Sequence, residues 1–477
     1  MINPTKVRKI MTKRTLALVA GLALATACKD ATSVPDLNNV SSSLLATGLN
    51  RASVQLLTTG LLNEDRGNWS ERYIVFTETM ARDLYRIDPA ENRWVTQMIG
   101  IPADPSAFTG GGLWTGYYTG IKSANNLIDN IATATDLSAA EQAGTVGLAQ
   151  TFKALQYWHI LEARDSIGLP IAVDNPISAP PAPFVCKTDG LAYVSSLLDS
   201  AYTKLQAAGS TPFPFALPAG FTQAGDYSTP AAFALWNRGI KGKIEYYRGM
   251  DHAKPNAGSF TTAIALLTQA VGALNAATLE NSPGYNYSSA SGELENPFAG
   301  DGAVHMNPSA ANGIQAGDLR AAKIISGAGP YTGSGLTTTF NMAYAVPTDP
   351  ANLTRPIPIL KNAEMILLRA QAEIESGQMV AATADVNFVR TNEGGLAALP
   401  TFASVAAGRA AVLYEKRYTM LFESAQRLVD LRAYGEMNST FLVTETTQGG
   451  DTFQSALPIP QGEINGRGGS QPTVTCP

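Results

Sequence analysis

Three stretches of the chain repeat one arrangement, a helix, a short turn and a second helix, and this constrains the fold more than any other feature. The segment GLAQTFKALQYWHILEARDSIGLP brings Leu148, Phe152, Leu155 and Leu161 near one helical face and stops at Gly168 and Pro170. A second helix, YVSSLLDSAYTKLQAAG, follows the proline-rich link NPISAPPAPF. TPAAFALWNRGIKGKIEYYRGM then ends near Gly249 and precedes SFTTAIALLTQAVGALNAATL. LKNAEMILLRAQAEIESG turns at Ser376 and Gly377 into MVAATADVNFVRTNEGG, and its Ala363, Ile366, Leu367, Ala370 and Ile374 form one broad face. Small contact residues and short turns predict a mainly α fold of tetratricopeptide-like helical repeats forming a scaffold, with a generic helical bundle as the alternative. Trp114, Tyr118, Trp158, Trp236, Tyr246 and Tyr247 lie at helical spacing, which reads as core.

The N-terminus carries a different signal. Lys6, Arg8, Lys9, Lys13 and Arg14 precede the twelve-residue apolar run Leu16–Ala27, which is short of the roughly 20 residues a membrane span needs. Basic flank, short apolar core and small residues ending at Ala27 are the layout of a secretory signal, and Cys28 stands directly after them. The expected organisation is therefore a signal over 1–27, a polar tether over 28–45 and a folded region over 46–477. With 477 residues, 45% hydrophobic and 15% charged, the chain suits one large or two merged domains. The net charge of −5 includes the five basic residues of the signal, so the remainder is more acidic still and nucleic acid is excluded as a partner. If Cys28 carries lipid, Cys186 and Cys476 remain, either as a disulfide or as two thiols.

From about 277 to 358 the texture changes to Gly, Ser, Thr, Asn and Pro with scattered aromatics. An irregular stretch of this length, with minor β structure, is commonly functional. Catalytic signatures are sparse. His159, His252 and His305 are scattered, and no metal motif, cofactor motif, nucleophile elbow or phosphate loop occurs. Glu364, Glu373, Glu415, Glu423 and Asp430 lie in helical segments beside Arg369, Lys416, Arg417, Arg427 and Arg432. Glu423 and Arg427 have the spacing of a helix ion pair, so these carboxylates read as structural rather than catalytic.

Several segments, in order, resemble the SusD/RagB family of nutrient-binding lipoproteins. GGLWTGYYTGIKSANNLIDNI presents Trp114, Tyr118, Ile121, Ala124 and Asn125 in the pattern W-x-x-x-Y-x-x-I-x-x-A-N, and Cys28 resembles a lipobox cysteine, with Ala25 where leucine is usual. IGLP resembles a YG-x-x-P turn with Ile167 replacing tyrosine, and RPIPILKNAEMILLRAQAE retains Glu364 and Glu373 with Lys361 replacing arginine. ADVNFVRTNEGG is similar to N-x-V-R-x-R-A-G. In VLYEKRYTMLFESAQRLVDLRAYG, Glu415, Arg417, Phe422, Glu423, Arg427, Asp430, Leu431 and Arg432 match, and LPIPQGEIN resembles the family's C-terminal segment.

The resemblance implies a helical scaffold whose loops bind oligosaccharides or other nutrients. It implies lipidation at Cys28, attachment to the outer membrane, a cell-surface location on a Gram-negative bacterium, and delivery to a SusC-like TonB-dependent transporter. No cofactor or metal is implied. Sugar binding needs flat aromatic faces flanked by amides and carboxylates. The candidates in polar loops are Trp94 with Asn92, Glu91 and Gln97 nearby, Tyr285 and Tyr287 with Asn286, Tyr331 among glycines, and Trp69; ordinary loop packing is the competing reading for each. The alternative functions are a secreted glycoside hydrolase and a helical-repeat protein-interaction scaffold.

Overall fold

A computed structural model describes residues 45 and 47–477, except 107–110, 112, 176–177, 347, 425, 470–471, 473–475 and 477. The apolar run Leu16–Ala27 and Cys28 lie outside the described residues. Everything below belongs to one compact unit, Gly48–Pro477.

The scaffold is helical: α1 (Arg51–Asn68), α2 (Thr115–Asn130), α3 (Ala139–Arg164), α4 (Lys187–Ala208), α5 (Pro230–Gly249), α6 (Ala257–Val271), α7 (Asn362–Glu375), α8 (Met379–Asn392), α9 (Val405–Thr419), α10 (Gln426–Tyr434) and α11 (Gln461–Gly466). From α1 to α8 each packs on the next, and α9 returns against α7, the neighbour-on-neighbour logic of helical repeats. Local chemistry sets the ends. Ser138 and Glu141 form a reciprocal capping box that starts α3 eight residues before the quoted periodic segment. Gly377, at φ +75°, supplies the left-handed residue between α7 and α8.

Small residues let the helices approach. A Cβ on Gly242 of α5 would sit 2.6 Å from Leu267 Cγ of α6, and one on Gly147 of α3 would meet Leu205 of α4 at the same distance. The apolar face of α7 closes on Ala382, Val386 and Val389 of α8, on Val412 of α9, and on Phe402, Met420 and Leu279. These are dry, close contacts of the kind that dominate folding free energy.

Charged groups also lie inside. Glu162 of α3 accepts from Tyr73 Oη at 2.5 Å and contacts His159 Nδ1 at 2.7 Å. Lys243 of α5 pairs with Glu364 of α7 at 3.0 Å, and Lys416 of α9 with Asp430 of α10 at 2.6 Å. Burial pushes the Glu162 carboxyl up, but Lys243 and His159 outweigh it and hold the group below its usual range. Each ion here is stabilised by its partner, because an unpaired one would be very costly.

Besides shorter helical segments, the described residues form four two-stranded antiparallel ribbons: β1 (Leu84–Arg86) with β5 (Val304–Met306), β2 (Leu169–Pro170) with β3 (Phe184–Val185), β4 (Gly284–Tyr285) with β8 (Ile357–Pro358), and β6 (Ile324–Gly333) with β7 (Leu336–Met342). The last is a hairpin whose register shifts between Ser326 and Tyr331. The irregular stretch from about 277 to 358 thus pairs with itself through β4–β8 and β6–β7, and with the segment Leu84–Arg86 through β1–β5. Cys186, at the start of α4, is joined to Cys476 by a disulfide with Cα atoms 5.5 Å apart.

Candidate functional site

Most of the aromatics expected to face a ligand are anchors instead. Trp69 is 2% exposed and is surrounded by Tyr73, His159 and Tyr285, with ring centroids 5.1, 5.0 and 6.0 Å away. Tyr285 and Tyr287 are buried as well, so Trp69 and Tyr285 do meet, but in the interior. Trp94 is closed between Phe76, at 4.5 Å, and the Arg86 guanidinium, also at 4.5 Å. The expectation that Trp69, Trp94, Tyr285 and Tyr287 offer ring faces to a ligand is therefore corrected. Trp69 lies not in a loop but on the helical segment Trp69–Val75 that continues α1, while Trp94 and Tyr285 anchor their own segments to the interior, since aromatic rings bury the most apolar area per side chain.

Asn92 is exposed, on the turn before Trp94. Tyr331 is half-buried, on the β6–β7 hairpin, with one face stacked on His305 at 3.7 Å and 16°. Burial lowers His305 to about 4, so its ring is neutral beneath the tyrosine. Among the residues named from the sequence, Tyr331 and Asn92 keep access to solvent.

A wide opening lies elsewhere. A cleft of about 860 Å³ runs between the first turns of α2, the proline-rich link after β2, and α11. Its floor contains Trp114, Tyr118, Pro170 and Pro460, and Lys122, Asn175, Gln461 and Glu463 bring polar groups to it. Trp114 packs against Phe184 at 5.7 Å and 16° and presents little of itself, whereas Tyr118 is mostly buried but keeps part of its side chain accessible and donates from its hydroxyl to the Pro170 carbonyl at 2.8 Å. Arg467 closes one end, pairing with Glu463 at 2.6 Å, donating to the Ala182 carbonyl at 2.7 Å and lying over the Phe184 ring. The volume falls within the roughly 300–1,000 Å³ of small-ligand sites.

Sequence reasoning missed this cleft because its walls come from three distant segments. It assigned Tyr118 to the core, where most of the side chain does lie, with one part left at the cleft. The available signal was a coincidence of prolines at 170, 180, 181, 183 and 460 with the W-x-x-x-Y pattern.

The helical carboxylates are committed to ion pairs. Glu415 holds Arg390 and Arg320, each at 2.7 Å, and Asp430 holds Lys416. Glu423 does not pair with Arg427: α9 ends at Thr419, the chain turns through Phe422 at φ +61°, and Glu423 meets Lys361 at 2.8 Å. Arg427 instead reaches Asp83 at 3.3 Å. Glu373 is the exception, pushed up to about 7 by burial and by Asp385 beside it. Among the described residues no group of three or more His, Cys, Asp or Glu side chains is placed to hold a metal, and no helix is long and apolar enough to cross a membrane.

No protein-family model matches the sequence, and no curated protein matches it. Solved structures do match. A SusD superfamily protein from Bacteroides thetaiotaomicron superposes with a TM-score of 0.68 at 14% identity, covering 89% of this chain and 100% of that one. Surface glycan-binding protein A from the same organism, in complex with laminarihexaose, gives 0.65 at 14% identity over 89% and 100%. Surface glycan-binding protein A from Bacteroides uniformis gives 0.64 at 19% identity over 84% and 93%. With the superpositions extending over 84–89% of its length, this chain has the fold of the SusD superfamily.

Proposed function

We propose that the protein is a non-catalytic, glycan-binding lipoprotein of the outer membrane. Oligosaccharide is held in the cleft between α2, the proline-rich link and α11, and is passed to a partner TonB-dependent transporter of the SusC type. Cys28 carries the lipid. The observation that supports this most is the fold shared over 89% of the chain with a protein solved in complex with laminarihexaose. The cleft adds a chemical reason, since the accessible part of Tyr118 and the prolines suit the C–H faces of sugar rings, and Lys122, Asn175 and Gln461 suit their hydroxyls.

Calorimetry against a panel of neutral and acidic polysaccharides tests the reading. At least one glycan is expected to bind, and Lys122→Ala combined with Gln461→Ala is expected to weaken it about tenfold, as for the loss of one or two hydrogen bonds. No binding at millimolar oligosaccharide, or binding unaffected by the rim substitutions, would sink the cleft assignment. Release of reducing sugar, abolished by one carboxylate substitution, would favour a hydrolase instead. In cells Cys28→Ser is expected to abolish lipid labelling, and the acylated protein is expected to co-purify with a TonB-dependent transporter.

A further inference from the structure

The helix α11 is the least secured wall of the cleft. A six-residue helix has little stability of its own, and of Gln461–Gly466 only Ile464 is buried. What fastens it comes from its two flanks. Ahead of it, the Gln461 amide donates to the Pro105 carbonyl at 2.6 Å. Behind it, Gly468 and Gly469 turn the chain at φ +85° and +84°, and the Gly469 amide returns to the Ile464 carbonyl at 2.9 Å. Nine residues after Arg467 stands Cys476, bonded to Cys186.

The other two walls are tied to the same place. The proline-rich link is closed at its base by the β2–β3 ribbon, in which Leu169 faces Val185 and Pro170 faces Phe184, and Cys186 is the next residue. Phe184 is the junction. Its ring stacks on Trp114, which leads into α2, and carries the Arg467 guanidinium 4.8 Å from its centroid. Because Arg467 also pairs with Glu463 of α11 and donates to the Ala182 carbonyl, one side chain joins α11 to the link and, through Phe184, to α2. The disulfide lies two residues beyond Phe184 and fixes the tail that follows α11.

We infer that the C-terminal tail is a strap that pre-forms the glycan cleft, with Arg467 and the Cys186–Cys476 bond as the positioning residues that hold α11 in place as its wall. A wall ordered before the ligand arrives spares the complex the entropy of ordering it, and a disulfide is one of the devices that achieve this. With the tail released, α11 would keep one buried isoleucine and one hydrogen bond at Gln461, and that side chain and Glu463 would have to be placed at the moment of binding. The consequence for glycan affinity rests on the carbohydrate-binding reading above, whereas the strap itself is tested without a glycan.

Hydrogen exchange of the whole chain, read by mass spectrometry, tests it with two variants: Cys186→Ser with Cys476→Ser, and Arg467→Ala, which keeps the crosslink and serves alone should the first not fold. In minutes of labelling, the hydrogen-bonded amides over 461–469 are expected to exchange about tenfold faster or more in both variants, while α7 and α8 stay protected. Calorimetry with laminarin, xylan, dextran and polygalacturonate follows, and whichever binds the parent is expected to bind both variants about tenfold more weakly. Unchanged exchange over 461–469 in either variant, or a rise as large in α7 and α8, overturns the strap. So does unchanged glycan affinity in a variant whose α11 exchange has risen. Failure of all four polysaccharides to bind the parent condemns the broader reading instead, and exchange then decides the strap.

Discussion

Asp65 on α1 is fully buried, and its Oδ1 accepts a hydrogen bond from the Gln156 side chain of α3. Burial dominates its titration and, with a smaller contribution from neighbouring Glu64 and partly offset by the Gln156 hydrogen bond, raises the carboxyl from 3.8 to about 8. The native protein therefore keeps this proton up to about pH 8, while the unfolded chain releases it above about pH 4. In that window the unfolded state binds fewer protons, so stability falls as pH rises, by about 1.4 kcal/mol per pH unit for one proton. Asp65→Asn retains the shape and the Gln156 hydrogen bond and has no proton to lose. The variant is expected to gain about 1.5 kcal/mol over the parent at pH 5 and about 4 kcal/mol at pH 7, both as upper values. Urea unfolding of the two proteins at pH 5, 6 and 7 reads the difference directly, because every other titrating group cancels. A gap that stays constant from pH 5 to pH 7 would mean that Asp65 is ionised in the native state, and the reasoning would fail.

Gly147→Ala is expected to lower stability by about 1–3 kcal/mol, because the new methyl meets Leu205 Cγ at 2.6 Å and the Ala201 carbonyl at 2.9 Å. Gly60→Ala, on an exposed helical position with nothing within 4 Å, is expected to raise it by up to about 1 kcal/mol; thermal melts of the pair check both. Cys186→Ser removes a crosslink spanning 290 residues and is expected to cost about 2–4 kcal/mol in denaturant unfolding, and the unreduced parent should titrate no thiol at either cysteine. Lys416→Met, which strands Asp430 without its cation, is expected to cost about 3–5 kcal/mol, with much of the loss recovered by adding Asp430→Asn; melting temperatures of the single and double variants decide.

Helices were legible wherever apolar period and turn chemistry agreed. The face of α7 follows from five residues, and Gly377 marks its end. The start of α3 was written in Ser138 and Glu141, outside the periodic window. The β6–β7 hairpin was not legible, because its strand runs through SGAGPYTGSG, where glycines dilute the alternation that marks a strand. The partners of buried charges were hidden more deeply. Spacing suggests Arg427 for Glu423, but one left-handed residue between α9 and α10 sends Glu423 to Lys361 and Arg427 to Asp83.

The failed aromatic candidates carry a further consequence. A tryptophan in a polar loop can serve either as a platform for ligand or as the peg that fastens the loop, and sequence does not separate the two. Trp69, Trp94 and Tyr285 are pegs: each is at most 5% exposed and each meets another ring within 6.0 Å. Fastening the chain this way leaves the ring faces unavailable, so ligand contact falls to partly accessible rings such as Tyr118 and Tyr331 and to the polar side chains beside them. Lys122, beside Tyr118 in the cleft, enters no ion pair among the described residues, in contrast to Lys243, Lys361 and Lys416. Replacement of such a side chain therefore alters what is bound at little cost to the fold, and choice of ligand can change in such a protein while the pegs and the helical frame stay the same.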